Sequence, residues 1–502
     1  VRVGAVTHDG GSPVSGGGAA SGLPPGDPRG FAPREAAEHV RGAQTTLFDG
    51  TVIVDHRFTV PVDHADTLEQ ARAKDASATG LGPGGAGTLR VVAREVRGPA
   101  AGSADLPWLL YLQGGPGSGA ARPPRLGGWL KEAAGRFRVL LLDQRGTGAA
   151  TPATVASLAG MPPEAQAAYL GHLRAPSIVA DAEMVRLALG ANAWATLGQS
   201  FGGFCTLSYL SWFPEGLARC HVTGGLAPLT GPADRVYRAT YARMRERNRE
   251  FFDRHPHAWV AWERVVAHLR AREAAGTPER LPDGTALTVA RAQMLGMLLG
   301  GNTRVDSLLY VLTEAFDEGA RQARLSEGFR AAVAAQADRA QTPLYTLLHE
   351  AIYAQPGAAP TDWSAARVLQ EHPDFDPGAC GGDAAAPEGT PLLTGEHVFA
   401  WQLEAGAPLH PLAEAAQLIA AREDWGALYD LGALAANRVP VAAAVYTHDV
   451  YVDRDLSLET AARVRGLRVW ETDAFHHDGL ADDGAAVLAR LLEMTEAPGP
   501  IG

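Results

Sequence analysis

Cysteine is scarce in this chain of 502 residues: Cys205, Cys220 and Cys380 are the only three, and they lie far apart. An odd number at such spacings predicts neither a disulfide framework nor a paired Cys-x-x-Cys metal site. Basic residues are also fewer than acidic ones: the chain has 44 Lys and Arg against 56 Asp and Glu, which gives a net charge of −12. This balance argues against a nucleic-acid partner, since a general nucleic-acid binder carries a basic face.

Long hydrophobic runs are missing as well. No stretch of 18 apolar residues occurs, and the N-terminus lacks a basic segment followed by an apolar one. We therefore expect a soluble, cytoplasmic protein with no membrane partner. Hydrophobic residues make up 46% and charged residues 20%, as in globular proteins. The length suggests two or three domains, or one large domain with an insertion.

The hydrophobic pattern divides the chain into four parts. Residues 1–43 are rich in Gly, Ser, Pro and Ala and bury too little apolar surface to offset their ordering entropy, so we expect a flexible tail. In 44–230, short apolar runs alternate with helical patterns, which predicts a parallel sheet with helical crossovers. In 231–436 the patterns are helical, and sheet-like sequence returns in 437–497. The expected architecture is an α/β core interrupted by a helical cap domain.

Eight strands are expected within the two core segments, and residues 63–87 are expected to be a polar, Gly-rich connection. The strands are predicted at 51–62, 88–96, 107–112, 137–142, 194–197, 219–223, 439–447 and 467–472.

A G-x-S-x-G pattern stands at the centre of the first core segment. The letters GQSFG at 198–202 place Ser200 between an apolar run, 194–197, and a helix-compatible segment, 204–212. A strand that turns sharply into a helix holds its central residue in a strained conformation with the side chain exposed, and small flanking residues let the two elements pass closely. The pattern predicts a nucleophilic serine, whereas an ordinary glycine-rich turn would have the same letters.

Two further glycine-rich loops precede Ser200. The sequence QGGPG at 113–117 ends an apolar strand, where a serine hydrolase places its oxyanion hole. The sequence DQRGTG at 143–148 also follows a strand, but it lacks the third glycine of a dinucleotide site, and Pro152 interrupts the helix that should follow. Asp143 and Arg145 are therefore interpreted as a structural pair within this loop.

Candidate partners for the serine occur late in the chain. A serine hydroxyl becomes a good nucleophile when a histidine accepts its proton, and a carboxylate must fix the tautomer of that histidine. Serine, then an acid, then a histidine is the order used by α/β-hydrolases. Asp449 is the best-placed acid, followed by Asp453 and then Asp455. His476 and His477 share the last loop, and the residues alone do not separate them.

Four segments, in order, resemble motifs of the prolyl aminopeptidase (proline iminopeptidase) family of serine peptidases. They are LLYLQGGPGSG at 109–119, FRVLLLDQRGTGAATP at 137–152, LGQSFGGFC at 197–205 and LTGEHVF at 393–399. The similarity runs from about residue 49 to the last helix and is strongest to larger bacterial members with an extended cap. Gln113 stands where the family often has histidine, as in that larger subgroup. The resemblance implies an α/β-hydrolase fold with a large inserted helical cap.

The resemblance also implies the roles of individual residues. It identifies Ser200 as the nucleophile, Asp449 as the acid and His477 as the base, with the backbone N–H groups of Gly115 and Phe201 as the oxyanion hole. No metal or organic cofactor is implied.

Removal of an N-terminal proline requires a site for a free, charged amine. By the resemblance, the cap residues Glu350 and Glu396 are the candidates, since a partly buried carboxylate pairs strongly with an ammonium group and rejects substrates that lack it. The expected partners are short peptides with an N-terminal proline. Because a fold does not fix a substrate, an esterase, another acyl hydrolase, a broader-specificity aminopeptidase and a non-catalytic binding protein are the alternatives.

Overall fold

The computed structural model describes residues 30–32, 34–317, 319, 323–378 and 389–496. Most of the tail expected at 1–43 lies outside these residues. Its last part is ordered, because Glu38–Thr46 forms the first strand, β1, so the boundary at residue 43 is wrong. β1 is a largely exposed edge strand held by antiparallel backbone pairing with β2 (Val52–Pro61), and composition does not reveal such pairing.

Nine strands form one mixed sheet in the order β1-β2-β3-β5-β4-β6-β7-β8-β9. The first three strands and β5 pair antiparallel, and all later neighbours pair parallel. The central strands are buried on both faces, which is why their sequences are continuously apolar rather than alternating. All eight expected strands are present, as β2 and as β3 (Thr88–Arg97), β4 (Trp108–Leu112), β5 (Arg138–Asp143), β6 (Trp194–Gln199), β7 (Leu217–Thr223), β8 (Val441–Tyr446) and β9 (Leu467–Thr472).

Helices cover both faces of the parallel part of the sheet. One face packs against α2 and α17, and the other against α5 and α6. The core helices are α1 (Leu68–Ser77), α2 (Gly128–Ala134), α3 (Val155–Leu158), α4 (Pro163–Gly171), α5 (Ala175–Ala188), α6 (Phe201–Trp212), α16 (Arg454–Arg463) and α17 (Gly479–Glu496).

Helix α1 contradicts the connection expected at 63–87. It buries only Leu68 and Ala71, so it shows no apolar stripe. A capping box supports it instead, in which Thr67 and Gln70 each accept the other's backbone N–H.

A long helical insertion joins β7 to β8. One apolar cluster runs from the sheet through α5 and α6 into this insertion, where it includes Tyr241, Trp262 and Leu295. The inserted helices are therefore packed onto the core. They are α7 (Ala233–Arg254), α8 (Pro256–Ala274), α9 (Val289–Gln293), α10 (Val305–Thr313), α11 (Glu327–Ala337), α12 (Pro343–Leu348), α13 (Ser364–Leu369), α14 (Ala413–Ala420) and α15 (Leu431–Ala435).

A mixed sheet whose parallel part is covered on both faces by helices, with a helical insertion between β7 and β8, is the arrangement of an α/β-hydrolase, as expected. Among the described residues, no helix combines the length and the hydropathy needed to span a membrane. The carboxyl ends of β6, β8 and β9 lie along one edge of the sheet, because β7 alone separates β6 from β8. The loops that carry the candidate serine, acid and histidine all leave from this edge.

Candidate active site

Ser200 occupies a sharp turn between β6 and α6. Its φ of 54° and ψ of −123° lie in a region that residues with a side chain rarely adopt. Glycine is required on both sides of it. A Cβ on Gly202 would lie 1.9 Å from the carbonyl oxygen of Leu112, and one on Gly198 would lie 2.4 Å from that of Gly202. The G-x-S-x-G pattern therefore has the geometry of a nucleophile elbow as well as its sequence.

The loop after β4 lies directly against this elbow. A Cβ on Gly114 would stand 3.1 Å from Cβ of Ser200. Gly115 has φ of 137°, which favours glycine, and Phe201 is the first residue of α6, where backbone N–H groups have no partner within the helix. Gly115 follows Gly114 in this loop and Phe201 follows Ser200, so both residues expected to form the oxyanion hole belong to the two segments that meet at the elbow.

Asp143 holds the following stretch of that loop. Its carboxylate accepts the N–H groups of Ala120 and Ala149, each at 2.9 Å, and forms an ion pair with Arg94 at 3.0 Å. The expected pairing with Arg145 is wrong. Two residues past the end of β5, Arg145 is instead bound by Asp181 of α5, at 2.6 and 2.7 Å.

Asp449 and His477 contact each other, and so form an acid–base pair among the several acids and histidines that the sequence offered as candidates. Nδ1 of His477 lies 3.0 Å from both carboxylate oxygens of Asp449. Oδ1 of Asp449 also accepts the backbone N–H groups of Tyr451 and Val452, each at 2.9 Å. Burial alone would lower the pKa of His477, but the charge and hydrogen bond of Asp449, with smaller contributions from Asp478 and Glu396, together raise it to about 9.

The other candidates have different partners. Asp453 caps α16 by accepting the N–H groups of Asp455 and Leu456, and it also binds Arg243 at 2.9 Å. Asp455 is exposed and contacts arginines.

His476 instead contacts Asn302 at 2.6 Å and Glu250 at 3.3 Å. Burial lowers its pKa to about 4. The structure therefore separates the two histidines that the sequence left equivalent.

The Gly224-Gly225 turn after β7 connects the serine to this pair, and sequence reasoning missed its role. Gly224 has φ of 51°, and a Cβ there would lie 3.2 Å from Oδ2 of Asp449 and 3.3 Å from Nδ1 of His477. A Cβ on Gly225 would lie 2.5 Å from the carbonyl oxygen of Ser200. The two glycines that follow β7 therefore allow the Ser200 elbow and the loops that carry Asp449 and His477 to approach one another.

A turn of the inserted region, residues 299–304, holds the loop that carries His477. The carbonyl oxygen of Gly300 accepts the N–H groups of His477 at 2.8 Å and Asp478 at 3.2 Å. The side chain of Asn302 donates to the carbonyl of Ala474 at 3.1 Å, and Arg304 forms an ion pair with Asp478. No motif in the sequence signals this support, because it joins residues about 175 positions apart along the chain.

The two candidate amine-binding carboxylates differ in their surroundings. Glu396 accepts a hydrogen bond from the Tyr345 hydroxyl at 3.1 Å, and burial raises its pKa to about 7. His477 and Asp449 both act on that pKa electrostatically, so Glu396 lies within electrostatic range of the acid–base pair.

Glu350 is buried, and it accepts the backbone N–H of Ala365 in the first turn of α13 at 3.0 Å. Burial also raises its pKa to about 7. Among the described residues it forms no hydrogen bond or ion pair with Asp449 or His477, but the buried Tyr237 lies within the electrostatic reach of both glutamates. Glu396 therefore interacts electrostatically with the pair, whereas Glu350 is hydrogen-bonded to the first turn of α13.

Aromatic side chains enclose the same region. The Tyr451 ring meets the His477 ring edge-on, with centroids 5.0 Å apart, and its hydroxyl donates to the Met297 carbonyl at 2.8 Å. The ring of Tyr353 packs against that of Phe204 in α6, with ring centroids 5.7 Å apart. Ser200, Asp449 and His477 are each at most 6% exposed. The site is therefore a covered one, built at the junction of core and insertion.

Comparison with known proteins gives the family. A family model of the alpha/beta hydrolase fold matches residues 107–290. A protein named proline iminopeptidase from Aeromonas sobria is 43% identical over 449 residues, which cover 89% of this chain and 97% of that protein. The chain belongs to the proline iminopeptidase family of α/β-hydrolases.

Other members of the family match to different extents. A proline iminopeptidase from Aspergillus aculeatus is 30% identical over 88% of this chain and 93% of its own length. A proline iminopeptidase from Neisseria meningitidis is 33% identical over 107 residues, only 21% of this chain and 29% of that protein. The near full-length matches confirm the family that the four sequence motifs indicated.

Proposed function

We propose that this protein is a serine exopeptidase that releases the N-terminal proline from short peptides through an acyl-enzyme on Ser200. The observation that carries the proposal is the contact of His477 with Asp449 beside the strained Ser200 elbow, beneath an insertion that supplies Glu396. Family membership over nearly the whole length of the Aeromonas relative supports the same reaction.

The proposed reaction uses the three side chains in fixed roles. Nε2 of His477 takes the proton of the Ser200 hydroxyl as its oxygen attacks the carbonyl of the N-terminal residue. Asp449 binds Nδ1–H, which leaves Nε2 free to accept that proton, and it stabilises the imidazolium that forms. The imidazolium then protonates the leaving amine, and water resolves the acyl-enzyme by the same path in reverse.

The developing oxyanion is assigned to the backbone N–H groups of Gly115 and Phe201. These two residues belong to the two segments that meet at the Ser200 elbow, and backbone donors in a site closed to water stabilise a tetrahedral intermediate without having to reorganise.

Recognition of the free amine is assigned primarily to Glu396. A carboxylate pairs with the ammonium of an N-terminal residue, and a substrate with a blocked amine leaves that buried charge unpaired, which disfavours its binding. The raised pKa of Glu396 indicates a group that gains stability when a cation arrives beside it. Glu350 is assigned an indirect part, because its carboxylate already caps α13.

A panel of chromogenic substrates tests the proposal. The para-nitroanilides of proline, alanine and acetyl-proline are compared with a simple aryl ester. We expect the proline amide to give the highest kcat/KM and the acetylated one to be nearly inert. Turnover of the ester alone would identify an esterase, and equal rates on proline and alanine would identify a broader aminopeptidase. Failure of a fluorophosphonate probe to label Ser200 would indicate a binding protein.

A further inference from the structure

A cleft of about 400 Å³ opens on the antiparallel part of the sheet. Four arginines line it: Arg57 from β2, Arg90 and Arg94 from β3, and Arg122 from the loop after β4. The strand register places Arg94 opposite Asp55 of β2, two residues before Arg57. Alternate residues of a strand share a face, so the pairing of β2 with β3 concentrates guanidinium groups on one surface. This concentration stands out in a chain with a net charge of −12.

Carboxylates neutralise only two of the four arginines. Asp55 binds Arg122 at 2.6 Å, and Asp143 binds Arg94 at 3.0 Å. Within the part of the chain that the structure describes, the side chains of Arg57 and Arg90 form no ion pair, hydrogen bond or ring contact. Two uncompensated cations at one cleft repel each other, and a bound anion removes that repulsion.

Arg94 gives the cleft a fixed, buried floor. Its exposure is 9%, and its guanidinium is held by Asp143 and by the carbonyl of Ala120 at 3.3 Å. The Nε–H of Arg94 is buried with no hydrogen-bond partner in the described structure. An unsatisfied buried donor of a charged group is unfavourable, so Arg94 remains incompletely compensated beside a cleft that carries excess positive charge.

We propose that this cleft is a binding site for a phosphate-class oxyanion, either inorganic phosphate or the phosphate group of a small metabolite. Arg57 and Arg90 would supply the charge, and Arg94 a preorganised donor. Guanidinium groups converging from two strands suit a tetrahedral anion, which offers three oxygens in different directions, better than a planar carboxylate. The group is confined to one cleft of an acidic chain, whereas a nucleic acid would need an extended basic face.

The test avoids Arg94 because that residue also holds the Asp143 loop beside Ser200. Inorganic phosphate is titrated calorimetrically, at constant ionic strength, into the wild type and into the double variant Arg57→Gln/Arg90→Gln. The matched control, Arg249→Gln/Arg438→Gln, removes two exposed arginines that do not line the cleft. Activity and Tm of both variants report that the fold is retained.

We expect one saturable site in the wild type and the control, and binding weaker by about tenfold or more in the cleft variant, since two charge-assisted contacts are lost. Glycerol 2-phosphate binding more tightly than phosphate would point to a metabolite, and the reverse to free phosphate; either supports the site. Absence of saturable binding, equal binding by the cleft variant, or acetate binding as tightly as phosphate would overturn it. The readout is binding, so it does not depend on the proposed peptidase activity.

Discussion

Asp449→Asn should remove most of the activity while leaving the fold intact. The reason lies in how the two carboxylate oxygens are used. Both oxygens lie 3.0 Å from Nδ1 of His477, but Oδ1 also accepts the backbone N–H groups of Tyr451 and Val452, whereas Oδ2 has His477 as its single hydrogen-bond partner among the described residues. In the variant, those two N–H groups fix the amide carbonyl at the Oδ1 position. The amide NH₂ is then directed at Nδ1 of His477.

That exchange reverses the tautomer of the histidine. Nδ1 becomes the acceptor, Nε2 carries the proton, and the ring can no longer take a proton from Ser200. The corresponding change in a serine-peptidase triad lowers kcat by about ten-thousand-fold, which is ~5.5 kcal/mol at roughly 1.4 kcal/mol per factor of ten. Both backbone hydrogen bonds persist, so the free energy of unfolding should change little. Asp449→Ala leaves two buried N–H groups unpaired and should cost about 1–3 kcal/mol for each.

The assay is kcat on proline para-nitroanilide, with Tm as the measure of folding. Asp453→Asn is the matched control, because Asp453 also accepts two backbone N–H groups but does not contact His477. The control should keep nearly full activity. The reasoning fails if Asp449→Asn retains about a tenth of wild-type kcat, or if the control loses as much as the variant.

Three further predictions concern the amine site, the supporting turn and pH. Glu396→Gln should lower kcat/KM for free-amine substrates by roughly 10- to 100-fold, because one charge-assisted hydrogen bond is lost, while Glu350→Gln should mainly lower Tm. A larger loss of kcat/KM in Glu350→Gln than in Glu396→Gln would contradict the assignment. Asn302→Ala should lower kcat several-fold with KM unchanged, because it releases the His477 loop, and a rise in KM alone would argue against a positioning role. Between about pH 6 and pH 8, kcat/KM should rise, because His477 and Glu396 must both lose a proton to act and their pKa values are raised to about 9 and about 7. A value of kcat/KM that falls as the pH rises over this window would contradict those roles.

The fold was predictable where local pattern and packing agree. Apolar runs or β-branched, alternating patterns predicted the strands β2 to β9, and the helical insertion followed from its periodicity. Two elements could not be found this way. β1 is mostly exposed and depends on pairing with β2, and α1 depends on the Thr67 capping box rather than on an apolar stripe.

The residues of the candidate site likewise fall into those set by local sequence and those set by contacts with distant parts of the chain. Ser200 and the glycines around it are set by local backbone geometry, which a short motif records. The choice of His477 over His476 depends on contacts with Asp449 and Asn302, from distant parts of the chain. The supporting turn at 299–304 and the different surroundings of Glu350 and Glu396 arise from packing of the insertion, which leaves no local pattern in the sequence.

The central claim is that Ser200 is the nucleophile of a prolyl aminopeptidase. The most direct test is the rate of proline release from proline para-nitroanilide by Ser200→Ala, in protein shown by circular dichroism and Tm to be folded. We predict that release falls by about a million-fold, to the limit of detection. Release at a rate close to that of the wild type would contradict the account.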